Sequence, residues 1–162
     1  MQKRAYRLGV LCLCLLLFAF LAPQQAYAQK IGKGATSDQV FEILASEIAL
    51  QRGEAGLAYQ TYLSLARQTG EADLAQRAME IAIAANAPDL ALAAAQTWDE
   101  LSKPSQTRPK EVLVTLLMLN QRWSESVKPA VALLNQQPLS EREKTLKQWQ
   151  GLIGRAIDES TA

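Results

Sequence analysis

Apolar residues recur along the central and C-terminal parts of the chain three and four apart, and nowhere do they alternate with polar ones at period two. Val40, Phe41, Ile43, Leu44, Ile48 and Leu50 define the first such stripe and predict a helix ending near Arg52. Thr36 and Gln39 stand at capping-box spacing at its start. Gly53 breaks the pattern, and from Glu54 a second run (Leu57, Ala58, Tyr62, Leu63, Leu65, Ala66) continues until Gly70, glycine being the favoured helix terminator. So short a connection forces the two helices antiparallel, as a hairpin.

The arrangement then recurs. Ala72 to Ala85 predicts a third helix with Leu74, Ala75, Ala78, Met79, Ile81 and Ala82 inward. Asn86-Ala87-Pro88 makes the turn, and a fourth helix from Asp89 to Leu101 buries Leu90, Ala91, Ala94, Ala95, Trp98 and Leu101. Ser102 to Pro109 carries two prolines among polar residues; it reads as a hinge or a tolerated insertion, with insertion favoured.

A third pair follows: Lys110 to Gln121 (Val112, Leu113, Leu116, Leu117, Leu119), a turn near Arg122, and Ser124 to Gln136 (Val127, Val131, Leu133, Leu134). Pro129 inside this sixth helix removes an interior hydrogen bond and predicts a kink or a late start. After Pro138, Ser140 with Glu143 gives a second capping box ahead of a last amphipathic helix. Leu146, Trp149, Leu152, Ile153, Ala156 and Ile157 line one face of it, and charged residues line the other. Seven helices without strands make an all-α array of hairpins, about three pairs and a C-terminal capping helix.

The N-terminal residues change the picture in one respect. Lys3, Arg4 and Arg7 precede an apolar run from Leu8 to Ala22, and Ala26-Tyr27-Ala28 follows as a small-x-small site, the layout of a secretory signal cleaved after Ala28. An apolar run of this length falls short of the roughly 20 residues a bilayer span needs, so no stable membrane span is expected after cleavage. Residues 1–28 are thus a signal peptide, 29–35 a polar, glycine-bearing flexible leader, and 36–160 the helical repeat domain. Cys12 and Cys14 lie inside the apolar run after leucines and are the chain's only cysteines, so neither lipidation nor a disulfide in the mature part is expected.

Composition narrows the function further. Histidine is absent, which removes the commonest general base and metal ligand, and no metal or cofactor is expected. The mature chain carries fourteen basic against sixteen acidic residues, about −2, with no electrostatic footprint for nucleic acid. Glu42 with Glu47 and Asp99 with Glu100 are the nearest approach to a catalytic carboxylate pair, and both read as surface charge. No phosphate loop or nucleophile elbow is present, and no enzymatic activity or catalytic residue is expected.

Aligning Gly53 with Asn86 superimposes Ala58 on Ala91 at a spacing of 33. Small residues stand at Ser46, Ala49, Ala58, Ala66, Ala75, Ala82, Ala91 and Ala95, where they would let paired helices approach closely. The segment from Phe41 to Arg67, with Ser46, Gly53, Ala58 and Tyr62 at the small, turn, alanine and aromatic places, resembles a tetratricopeptide repeat. The next unit keeps Ala91 but has Ala95 at the aromatic place and Met79 at the small place, and the third, with Arg122 at the turn, matches more loosely. Together with the signal, Ala45 to Glu54 looks like exported tetratricopeptide proteins of Gram-negative bacteria that are longer than this chain.

The resemblance implies a right-handed superhelix whose first helices line a concave groove suited to a protein or peptide partner. Carried onto this sequence, the groove residues are Ile43, Glu47, Gln51, Gln76, Glu80, Ile83, Leu116 and Asn120, with Glu47 and Glu80 as a mildly acidic strip or simply as solvated charges. It further implies a periplasmic, non-catalytic adaptor. The alternative keeps the fold and makes the chain a helical scaffold module of a peptidoglycan-associated, lytic-transglycosylase-like protein. The final helix is expected to cap the stack, with Trp149 as core.

Overall fold

The computed structural model describes residues 36–161, with side chains through residue 154. The signal and leader expected from the sequence, and the side chains of Ala156 and Ile157, lie outside the described residues. The chain divides into two units, residues 1–41 and 42–162, and the boundary falls within the first helix. Of the first unit the described part is the capped start of that helix. There the Thr36 N–H donates to Gln39 Oε1 at 2.9 Å and the Gln39 N–H to Thr36 Oγ1 at 3.4 Å, the reciprocal pairing expected of a capping box.

Among the described residues seven helices follow one another: α1 (Ser37–Gln51), α2 (Ala55–Thr69), α3 (Ala72–Ala84), α4 (Pro88–Leu101), α5 (Arg108–Leu119), α6 (Trp123–Gln136) and α7 (Leu139–Thr161). No strand occurs among the described residues. Nor is any described helix long and apolar enough to cross a membrane. Each of α3, α4 and α5 packs on the helix before it, α5 also packs on α6 and α7, and α2 touches α4.

The turns inside the three pairs are built alike. Gly53, Asn86 and Gln121 each take a left-handed backbone, φ +81°, +53° and +57°. After each, the next N–H reaches back five residues to a helix carbonyl: Glu54 to Ala49, Ala87 to Ala82 and Arg122 to Leu117, all at 2.9 Å. The turn residue itself bonds three back, to Leu50, Ile83 and Met118, completing a Schellman motif each time. The third turn therefore pivots on Gln121, one residue before the expected Arg122.

Only glycine adopts this backbone without crowding its Cβ, and asparagine tolerates it through its short polar side chain. Gln121 does neither. Gln121→Gly is expected to raise stability by about 1 kcal/mol, the order of the left-handed penalty removed, read as a higher urea midpoint at unchanged slope.

Close packing follows the small residues. All eight singled out in the sequence, from Ser46 to Ala95, are buried. Counted from each turn, Ala58, Ala91 and Ser126 occupy one buried place, and Tyr62, Ala95 and Ala130 another. The third pair thus carries the same small-residue place with serine in it. Buried Ser46, Thr97 and Ser126 each donate their hydroxyl to a carbonyl of their own helix, so the close approach leaves no polar atom stranded. Among the described residues every buried side-chain nitrogen and oxygen has a partner.

Three expectations are corrected. Pro129 does not give α6 a late start: the helix begins at Trp123 and runs through the proline, whose half-buried ring sits in its second turn, where only one interior bond is forfeited. Ser140 does not cap α7, because that helix starts at Leu139, and Glu143 pairs with Lys147 instead. The proline-bearing segment, expected as a hinge or a tolerated insertion, is bridged at its base, where Lys110 Nζ lies 2.8 Å from both Asp99 oxygens and joins α4 to α5. Finally, Phe41, Leu44, Ile48, Leu57, Leu90, Val127, Val131 and Leu146 belong to apolar stripes yet are exposed, since each lies on the part of its stripe that no described helix covers.

Trp149 is buried as expected. It packs with Val114 and Met118 of α5 and Ala130 and Leu133 of α6, with Leu134 and Leu152 against them. That cluster holds α7 on the last pair.

Candidate partner-binding face

The residues carried onto the groove lie on the first helices of the three pairs, at positions their own pattern sets. Gln76, Glu80 and Ile83 stand four and three apart and so share one face of α3, while Leu116 lies in the last turn of α5 and Asn120 caps its C-terminus. Gln51 and Ile83 are exposed; Glu47, Gln76, Glu80, Leu116 and Asn120 are half-buried.

Ile43 is corrected: at 8% exposure it belongs to the core and offers nothing to a partner. Its stripe, Ile43, Ser46 and Ala49, is the buried face of α1.

Glu47 is the most connected of these residues. Arg77 of α3 donates to it from Nε at 3.1 Å and from Nη2 at 3.0 Å to each oxygen, and the Tyr62 hydroxyl of α2 donates to Oε1 at 2.6 Å. One carboxylate thereby ties three helices. Arg77 also lies 3.6 Å from Glu80, whose other oxygen accepts from the Gln76 amide at 2.9 Å. The acidic strip is corrected accordingly: Arg77 stands between the two glutamates and offsets part of their charge.

Sequence reasoning missed Arg77 and the second role of Tyr62. The Arg77–Glu80 spacing of three was visible, but the Arg77–Glu47 link spans 30 residues and exists only because α3 lies against the first pair. Burial of the Tyr62 phenol, its hydrogen bond to Glu47 and the Glu47 charge raise its pKa well above 10, Arg77 opposing. For Arg77, burial lowers the pKa, but the Glu47 bonds and charge outweigh it and the net shift is upward. A half-exposed pair of this kind contributes about 1 kcal/mol.

The Tyr62 shift has a stability consequence whose sign is fixed. Unfolded tyrosine ionises near pH 10, whereas the folded phenol resists ionisation, so this contribution is complete below about pH 10 and is lost as pH rises through the folded pKa. Urea midpoints measured between pH 9 and 11 should fall for the natural chain and fall less for Tyr62→Phe. The remaining slope includes Tyr59, whose pKa burial also raises, against Arg67.

Other polar groups are engaged structurally. Asn120 Nδ2 donates to the Leu116 carbonyl of its own helix at 2.8 Å. Of the carboxylates weighed for chemistry, Asp99 is taken by Lys110 and Glu47 by Arg77, while Glu42 and Glu100 stand in solvent.

A shallow, open depression lies on a second helix, lined by Tyr59, Gln60, Leu63, Ser64, Arg67 and Gln68 of α2. The Tyr59 hydroxyl there is spent on the Leu90 carbonyl of α4 at 3.1 Å, and Arg67 reaches Thr97 at 3.5 Å. No family model and no curated protein matches the chain.

Proposed function

We propose that the chain is an exported, tetratricopeptide-like adaptor that holds a protein or peptide partner against the first helices of its pairs, without catalysis or cofactor. The observation that carries this reading is Ile83. It is an isoleucine left 49% exposed on α3, on the same helix face as Gln76 and Glu80, while the opposite face of α3 is packed into the core. An exposed β-branched residue framed by polar groups is the usual composition of a small recognition patch, with apolar contact for affinity and polar groups for register.

The fold supports the same reading in a second way. Three pairs with one turn geometry and matched small residues make a scaffold that presents matched positions at regular intervals. Glu47, Arg77 and Tyr62 fix the first helix of one pair to the next, so the presented face is rigid and little ordering entropy is lost on binding.

The test is retention of envelope proteins by the immobilised chain beside its Ile83→Asp variant. Loss of a retained protein in a variant of unchanged thermal stability supports the reading. Equal retention by both contradicts it.

A further inference from the structure

Charge is sorted by position along the chain. Residues 42–101, from the body of α1 through α4, carry nine acidic residues against three basic, a net of −6. Residues 102–161 carry six acidic against nine basic, a net of +3. The near-neutral total thus conceals a strongly acidic stretch, and an approaching charged ligand responds to that local field and not to the total.

The acidity extends to the face around Ile83. Asp73, Gln76, Glu80 and Ile83 stand three, four and three apart and so share one face of α3, with Asp73 exposed and Glu80 half-buried. Arg77 bonds Glu47 of α1 at 3.0 Å and lies 3.6 Å from Glu80; Glu47, Asp73, Arg77 and Glu80 together carry −2.

These carboxylates are spaced along the helix and not gathered at a point. Asp73 and Glu80 lie seven residues apart, about 10 Å along the axis. No group of three or more acidic residues among the described ones is placed to hold a metal ion. Separate negative charges beside an isoleucine that is 49% exposed match separate ammonium or guanidinium side chains beside an apolar one.

Resting on the reading that this face receives a partner, we propose that the partner segment is cationic: it lays an apolar side chain on Ile83 and lysine or arginine side chains against Glu80 and Asp73. Its basic part lies over α3 and not over α5, where Arg108 and Lys110 outnumber Glu111.

The probe is a short fluorescein-labelled peptide of lysine and leucine, with a glutamate and leucine peptide as control, each titrated with the full chain and followed by anisotropy. The natural chain should bind the lysine peptide alone, and severalfold more weakly at about 1 M salt, where the screening length falls to about 3 Å. Asp73→Asn and Glu80→Gln should each weaken binding roughly two- to fivefold, the worth of one exposed charge pair, at unchanged helicity by circular dichroism. Glu80 also accepts the Gln76 amide, so Asp73→Asn is the variant that leaves that bond in place. Glu100→Gln removes the same charge from an exposed position of α4 and should leave binding unchanged.

Equal weakening by Glu100→Gln would reduce the effect to diffuse attraction and overturn the proposal, as would binding of both peptides alike or of neither. An envelope protein retained through Ile83 but indifferent to salt, Asp73→Asn and Glu80→Gln would leave the adaptor reading standing and remove the cationic partner.

Discussion

Trp149→Ala is expected to lower the unfolding free energy by about 3–5 kcal/mol, the largest effect of any single substitution considered. The indole is 7% exposed and fills the space between Val114 and Met118 on one helix and Ala130 and Leu133 on another. Truncation loses the transfer free energy of the ring and leaves a void between Val114 and Met118 on α5 and Ala130 and Leu133 on α6. No other residue of α7 in the described range is buried, so the helix loses its anchor. Thermal unfolding should shift down by roughly 10 °C or more, and hydrogen exchange should show α7 amides losing protection before those of α2 to α4. Unchanged stability would mean that Trp149 serves as a docking side chain and not as core.

Ala91→Leu is expected to destabilise by about 1–3 kcal/mol for the opposite reason. Ala91 occupies the same buried place as Ala58 and Ser126, and at 1% exposure its methyl already meets the neighbouring helix. A larger side chain there forces the pair apart or into poor rotamers, and displacing α4 also moves the Leu90 carbonyl that accepts the Tyr59 hydroxyl. Leu90→Ala, one residue away but exposed, should cost within about 0.5 kcal/mol. The contrast between neighbours, measured by urea unfolding, separates packing from helix propensity.

Much of this architecture is written locally and could be read locally. Helix periods, Gly53 and Gly70 as terminators, Pro88 in a first turn and the Thr36–Gln39 box all depend on residues within a few positions of one another, and the structure carries each as read. What failed depended on distance in the chain. A stripe of apolar residues says that a face can be buried and not what lies on it, which is why Leu44, Ile48, Val127 and Val131 keep the helical period and yet stand outward. Ser140 had cap spacing but lost its place because Pro138 already supplies the carbonyl for the Glu141 and Arg142 N–H groups, starting α7 a turn position earlier.

The candidate face shows the same division. Exposure of Gln51 and Ile83 follows from helix geometry alone. The role of Glu47 does not. A carboxylate at one site per repeat reads equally as a partner anchor or as a solvated charge, and only the stacking of α3 against the first pair brings Arg77 and Tyr62 to it. Glu47 therefore acts first as a clamp between the helices that carry this face.

The most direct measurement of the central claim is position-specific photo-crosslinking of the chain in envelope extract, with the reactive side chain at position 83 on the first-helix face and, as control, at position 147 on the solvated face of α7. The account predicts reproducible protein adducts from position 83 that position 147 does not give. Equal labelling at both positions, or adducts to glycan alone, would contradict it.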